Sequence, residues 1–180
     1  MRKIILTEYI TMDGVMEDPA WTTPYWNAEI ARFKFDELFT SGVLLLGRVT
    51  YQGFAAAWPG QTDEQGFADR MNNMPKVVVS TTLQTLDWNN SSLIQGNVAG
   101  EVSKLKQQPG QDILIYGSGA LANSLMRHGL IDEYRLLVYP LILGKGKRLF
   151  QDGVKATLNL TDVKSFPSGV VALIYHPDYQ

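Results

Sequence analysis

Three short apolar runs limit what this chain can fold into. They are Val43-Leu44-Leu45-Leu46, Val77-Val78-Val79 and Ile113-Leu114-Ile115-Tyr116. None shows the apolar–polar alternation of a strand with one wet face, so each reads as a strand covered on both sides. That is the condition of a parallel sheet flanked by helices. The intervening segments carry helical signals. Ala31, Phe35, Leu38 and Phe39 recur at i, i+4, i+7 and i+8 in a helix starting near Asn27, and Gly42 sits where that helix would end. A second helix opens at Gly47-Arg48-Val49-Thr50 and must stop before Pro59. Asn97 caps a third, which runs to about Gln108 ahead of Pro109-Gly110. A fourth follows Gly117-Ser118-Gly119 and ends at Gly129. Residues 3–10 read as the first strand and turn at Met12-Asp13-Gly14, while 19–24 and 87–92 read as loop. Residues 134–139 and 170–175 are strand-like, with no long helix between them, and are expected to join the sheet edge in antiparallel fashion. The expected fold class is α/β, a mostly parallel twisted sheet with helices on both faces and an antiparallel C-terminal strand. With 180 residues, it is expected to form one domain over 1–180.

The exits of the three buried strands resemble one another. Gly47, Arg48 and Thr50 follow the first, Ser80 and Thr81 the second, and Gly117, Ser118, Gly119 and Ala120 the third. In a parallel sheet all three lie at the carboxyl edge, where open α/β folds bind ligands. Glycine allows close backbone approach, helix starts offer free N–H groups, and hydroxyls with a guanidinium add phosphate donors. Together they predict a site for a phosphorylated ligand such as a dinucleotide. Gly117-x-Gly119-x-x-Ala122 also fits the dinucleotide fingerprint, although Asp132 and Glu133 come too soon for its usual acidic partner. A net charge of −2 gives no electrostatic pull toward nucleic acid or an anionic membrane. The absence of cysteine excludes disulfides and thiolate chemistry, and two isolated histidines make a zinc site unexpected.

Several segments, in order along nearly the whole chain, carry a family resemblance. They are Thr11-Met12-Asp13-Gly14-Val15, Leu44-Leu45-Leu46-Gly47-Arg48-Val49-Thr50-Tyr51, Lys76-Val77-Val78-Val79-Ser80, Ile115-Tyr116-Gly117-Ser118-Gly119, and Leu130-Ile131-Asp132-Glu133 continuing to Pro140-Leu141-Ile142-Leu143-Gly144-Lys145-Gly146. The chain resembles the dihydrofolate-reductase-like superfamily. More narrowly, it resembles the reductase domain of the bifunctional riboflavin-biosynthesis deaminase-reductase and its stand-alone bacterial relatives. The resemblance implies a dihydrofolate-reductase-like three-layer fold, NADPH as cofactor and a homodimer, while an Ile4-Ile5-Leu6 run broken at once by Thr7 and Glu8, with no apolar stretch near the roughly 18 residues of a membrane span, makes the cytoplasm the expected location. It implies that Arg48 and Thr50 meet phosphates, that Ser80 and Thr81 lie near the adenosine 2′-phosphate, and that Gly117, Ser118, Gly119 and Ala120 lie against the pyrophosphate. The backbone around Glu8 and Tyr9 would border the nicotinamide. An arginine among these groups favours NADPH over NADH. With no cysteine for the deaminase zinc, the chain carries at most the reductase half.

The expected activity is reduction of a small pyrimidine- or pterin-like ring, in the manner of the 5-amino-6-(5-phosphoribosylamino)uracil reductase step. Two alternatives stay open: reduction of an unrelated carbonyl substrate, and a non-catalytic nucleotide-binding protein on the same fold. Two carboxylates are candidates for the proton donor. The resemblance implies the first: lining up residues 26–33 with the helix whose carboxylate polarises the substrate in dihydrofolate reductases puts Glu29 nearest that position, half-buried beside Trp26, Ile30 and Phe33 with a raised pKa, or else Glu29 is an exposed acid in the first turn of a helix. Asp13 is the second, with a turn-forming role before Gly14 as its alternative. Trp21, Tyr25 and Trp26 either stack on a flat heterocycle or pack on the core. Gly144-Lys145-Gly146-Lys147-Arg148 reads as a solvated basic turn that can also hold a substrate phosphate.

Overall fold

A computed structural model describes residues 1–178. Eight strands form one sheet in the order β4-β3-β2-β5-β1-β6-β8-β7. They are β1 (Ile4–Thr11), β2 (Ser41–Gly47), β3 (Lys76–Val79), β4 (Ser91–Ile94), β5 (Asp112–Tyr116), β6 (Glu133–Tyr139), β7 (Leu158–Ser165) and β8 (Val171–Pro177). The six strands from β4 to β6 in this order are mutually parallel, and β8 and β7 close the edge antiparallel. The expectation that 134–139 would join antiparallel is therefore corrected. That strand, β6, runs parallel beside β1, and only β8 and β7 reverse direction. Helix α5 (Gly119–Arg127) supplies the crossover from β5 to β6, which lie parallel on either side of β1.

Helices cover both faces. On one face α4 (Val98–Gln107) and α5 pack Val102, Leu121, Ala122 and Leu125 onto Ile4, Leu6, Leu45, Ile113 and Ile115. On the other, α1 (Ala28–Phe39), α2 (Arg48–Ala57) and α3 (Phe67–Asn73) pack Leu38, Tyr51 and Met71 onto Ile5, Leu44, Leu46, Val78 and Leu114. Strand alternation explains the division, since Ile4 and Leu6 point to one side and Ile5 to the other. Asn27 caps α1 by accepting from the Glu29 and Ile30 N–H groups, and Asn97 caps α4 through Gly100.

Besides β7, three elements lie where the sequence pattern suggested a loop or gave no signal. Residues 19–25 form a 3-10 helix, β4 occupies part of the stretch read as a polar turn, and α3 precedes β3. Gly42 lies inside β2 rather than ending α1, which is closed by Thr40. Lys76, at 1% exposure, anchors the start of β3. Its ammonium donates to the Asn72, Met74 and Asn89 carbonyls and sits 4.2 Å from the Trp88 ring centroid.

Candidate functional site

The cleft opens where β5 stops. Its last pair with β1 is Tyr116 with Thr7, and its last pair with β2 is Leu114 with Leu44. Beyond those pairs β1 continues paired only with β6 and β2 only with β3, and the chain leaving β5 turns through Gly117 and Ser118 into α5. Both turn residues are left-handed, with φ of +60° and +65°. A Cβ at residue 117 would lie 2.9 Å from the Thr50 Oγ1, so the tight approach to α2 also requires glycine. The Ser118 hydroxyl accepts from the Gly47 N–H at 2.7 Å, tying the exits of β2 and β5 together. Neither α2 nor α5 has a side-chain cap on its first turn. Two helix N-termini thus present free N–H groups at one place, the arrangement that holds phosphate.

One cavity of about 1600 Å³ extends from these termini across the sheet edge. Its lining includes Tyr9, Gly47, Arg48, Thr50, Ser80, Thr81, Gly117, Ser118, Gly119 and Ala120, so all ten residues expected at a cofactor lie on one surface. Arg48 is exposed and donates to Gln52 at 3.0 Å. The Ser80 hydroxyl is buried and accepts from the Thr82 and Leu83 N–H groups, so it shapes the loop, while Thr81 is exposed. The lining is also aromatic, with Trp26, Phe35, Phe54, Trp58, Phe67 and Tyr116.

The two expected proton donors lie elsewhere. Glu29 is exposed at the start of α1 and does not line the cavity. The stripe of α1 that faces the cavity is Ala31, Lys34 and Phe35, while Ile30 is buried in the core. The expected half-burial of Glu29 is therefore corrected, because its position on the helix turns it away from that stripe. Asp13 is also outside the lining. It accepts from the Thr11 hydroxyl at 2.5 Å and from the Gly144 and Leu143 N–H groups at 2.8 and 3.3 Å. These bonds, that to Thr11 first, hold its carboxyl at about 2, so it is a carboxylate that fastens the turn to the segment after β6. Trp21 and Tyr25 pack edge-on against Tyr139 at 5.3 and 5.6 Å, leaving Trp26 as the member of that aromatic group on the cavity. From the basic cluster, Lys147 and Arg148 reach the lining.

The floor of the cavity holds an ionisable cluster that periodicity did not single out. Lys34 is 5% exposed, and its ammonium meets Glu37 at 2.5 Å and the Thr7 hydroxyl at 3.0 Å. It also lies over the Tyr116 and Tyr9 rings, 4.4 and 5.1 Å from their centroids. Arg135 adds a second cation 3.7 Å from Glu37 and pairs with Glu133 at 2.6 Å. Glu8 is 6% exposed, lines the cavity, and has no hydrogen-bond partner on Oε1. Burial pushes its carboxyl up to about 8, although the Lys34 charge pulls the other way. Burial likewise raises the Tyr9 and Tyr116 phenols well above their usual value and lowers the Lys34 ammonium.

The fold is dihydrofolate-reductase-like. A dihydrofolate reductase from Enterococcus faecalis, solved in complex with NADP(H), superposes with a TM-score of 0.63 at 13% identity, over 98% of this chain and 96% of that one. A Shewanella protein assigned to riboflavin biosynthesis superposes with a TM-score of 0.80 at 19% identity, over 98% and 99% of the two chains. Within that class, the chain belongs to the RibD C-terminal domain family, whose model matches residues 2–172. The Bacillus subtilis protein YyaP, itself uncharacterized, is 34% identical over 180 residues, covering 97% of this chain and 95% of its own.

Proposed function

We propose that this protein is an NADPH-dependent reductase of a small, flat heterocyclic substrate of the pyrimidine or pterin kind. One observation carries the reading. Two uncapped helix starts, a left-handed Gly117-Ser118 turn and Arg48 converge on one cavity whose lining is also rich in aromatic side chains. Its volume of about 1600 Å³ exceeds the ~300–1,000 Å³ of a single small-molecule site, which leaves room for a dinucleotide and a second molecule. The residues fit the cofactor. The backbone at Gly117–Ala120 and Arg48–Thr50 would hold its phosphates, Arg48 would meet a 2′-phosphate, and the β1 segment at Tyr9 would border its ring. Once bound, the cofactor supplies hydride, and the protein supplies position, charge and exclusion of water.

Membership of a riboflavin-reductase-type family supports this chemistry. Lys147 and Arg148 are the cations from the basic cluster that a phosphate on the substrate would meet. No helix among the described residues is long and apolar enough to cross a membrane. We propose a cytoplasmic homodimer, since Leu160 and Val163 of the edge strand β7 are 52% and 50% exposed. Light scattering at the 20.1 kDa of one chain would refute the dimer.

The deciding experiment is titration with NADPH and with NADH, followed by tryptophan fluorescence and checked by calorimetry. Trp26 and Trp58 line the cavity as reporters. Saturable NADPH binding with much weaker NADH binding is expected, followed by NADPH oxidation with a ring substrate. Silence toward both cofactors in calorimetry would overturn the reading. Binding without turnover of any ring or carbonyl substrate would favour a non-catalytic nucleotide-binding protein.

A further inference from the structure

Glu8 and Gly117 are the first residues beyond the last β1–β5 pair, Thr7 with Tyr116. Both line the same cavity, so a ring attached to phosphates held at the Gly117 turn can reach Glu8. That carboxyl is almost wholly buried, lines the cavity, and leaves Oε1 unpartnered. A buried ionised carboxylate with no donor is costly, so the group is held as the neutral acid.

The groups packed around it do not substitute for it. From α1 come Lys34 and Glu37, which neutralise each other. From β6 come Arg135, paired with Glu133, and Tyr139, whose phenol burial pushes up to about 12. Tyr9 on the same strand and Tyr116 on β5 are phenols also raised by burial, so both stay protonated. Glu17, Arg48, Lys147 and Arg148 line the same cavity, and of all these charges Lys34 is the one felt at Glu8.

We propose that Glu8 holds the proton that accompanies the hydride, and that its charge follows the oxidation state of the bound cofactor. This rests on the NADPH reading above. In the reduction of one double bond, the substrate gains hydride, with its electron pair, at one atom and the Glu8 proton at the other. The cofactor is oxidised by two electrons, and Glu8 is left as a carboxylate. That anion would share the cavity with an oxidised, cationic ring, and the opposite charges would stabilise each other. Exchange of the oxidised for the reduced cofactor removes the positive charge, and Glu8 regains a proton from solvent. The same coupling operates in binding alone. A neutral reduced ring excludes water and favours the acid, whereas a cationic oxidised ring favours the carboxylate.

The test is calorimetry of NADPH and NADP⁺ binding at pH 8, in buffers of different ionisation enthalpy. For the intact protein, NADPH binding takes up as much as about half a proton and NADP⁺ binding releases as much as about half. The 2′-phosphate is common to both cofactors and cancels in the difference. Correspondingly, the preference for NADPH over NADP⁺ falls by up to about tenfold per pH unit through the titration of Glu8. E8Q keeps the shape of the neutral acid without its proton, and removes the difference. Equal proton counts for the two cofactors in the intact protein, or a difference that persists in E8Q, overturn the proposal. The comparison in the intact protein decides even if E8Q fails to fold. Failure of the intact protein to bind either cofactor is a separate result, which removes the NADPH reading and this proposal with it.

Discussion

Lys34→Met tests whether the floor of the cavity is held by charge. In the folded protein the Lys34 ammonium and the Glu37 carboxylate meet at 2.5 Å, with 5% and 2% exposure. Methionine replaces the aliphatic stem with little change in volume, so the perturbation falls on the ammonium. Glu37 then keeps Arg135 at 3.7 Å, which is itself committed to Glu133 at 2.6 Å, and Glu37 Oε1 already lacks a hydrogen bond. Breaking a buried pair by removing one partner costs about 3–5 kcal/mol. A domain's whole stability is about 5–15 kcal/mol. At about 2–4 °C per kcal/mol for a chain of this size, Tm should fall by about 6–20 °C. Lys34→Met/Glu37→Met should recover more than half of that loss, because replacing both partners by apolar groups of similar volume is often neutral or stabilising. Differential scanning calorimetry on the three proteins reads the result directly. A single variant melting within about 2 °C of the parent would show that the pair contributes nothing net. A double variant melting below the single one would show that Glu37 is not stranded by loss of Lys34. Either result would refute the reasoning.

Gly117→Ala should lower Tm and weaken NADPH binding together, because φ is +60° and the new Cβ would lie 2.9 Å from the Thr50 Oγ1; about 1–3 kcal/mol is expected from the backbone strain alone, and an unchanged melt would contradict it. Arg48→Ala should weaken NADPH binding about 10- to 100-fold, the worth of a charged hydrogen bond, and leave NADH binding unchanged; an equal loss for both cofactors would place Arg48 away from the 2′-phosphate. Asn123→Ala should cost about 2–3 kcal/mol in urea unfolding. The Asn123 amide is fully buried, donates to the Gly119 and Leu149 carbonyls and accepts from the Gln151 N–H. The folded pKa of Glu8 lies above its ordinary value, at about 8 against 4.5, so the folded state binds the extra proton between those pH values. Its contribution to stability is fully present below about pH 4.5 and is lost as pH rises through about 8, at up to about 1.4 kcal/mol per pH unit. Urea midpoints for the parent protein and for Glu8→Gln should therefore diverge across that window, and parallel profiles would count against a buried Glu8.

The strands legible in the sequence were those whose local pattern and tertiary setting agree. β2, β3 and β5 are central and buried on both faces, and their uninterrupted apolar runs say so. β4 and β7 end the sheet on either side. Ser91-Ser92-Leu93-Ile94 needs only one neighbour, and β7 is exposed along seven of its eight residues, so neither carries a run long enough to announce a strand. In α3 the buried positions are Ala68 and Met71 within a polar heptapeptide, too few to establish a helical period. The direction of β6 had no local signal either, since residues 133–139 would read the same in a parallel or an antiparallel pair.

The same distinction separates the two halves of the cavity. The half built from the strand exits was readable because it is made of backbone, and glycine, serine and threonine at strand exits report backbone conformation directly. The floor was not, because the state of a carboxyl depends on what covers it. Glu29 and Glu8 are both glutamates beside apolar residues in sequence. Glu29 sits in the first turn of a helix whose cavity-facing stripe lies on another side, so it stays in water. Glu8 sits in a strand that outlasts its neighbour, and the chain that turns away at Gly117 opens the cavity this carboxyl lines. Its burial is set by where β5 ends, more than a hundred residues later in the chain. An acid needed at neutral pH is made by such burial. A local reading has no access to it: Glu29 and Asp13 were the candidates the sequence offered, each with a structural alternative, and neither lines the cavity, whereas the buried carboxyl of Glu8 does.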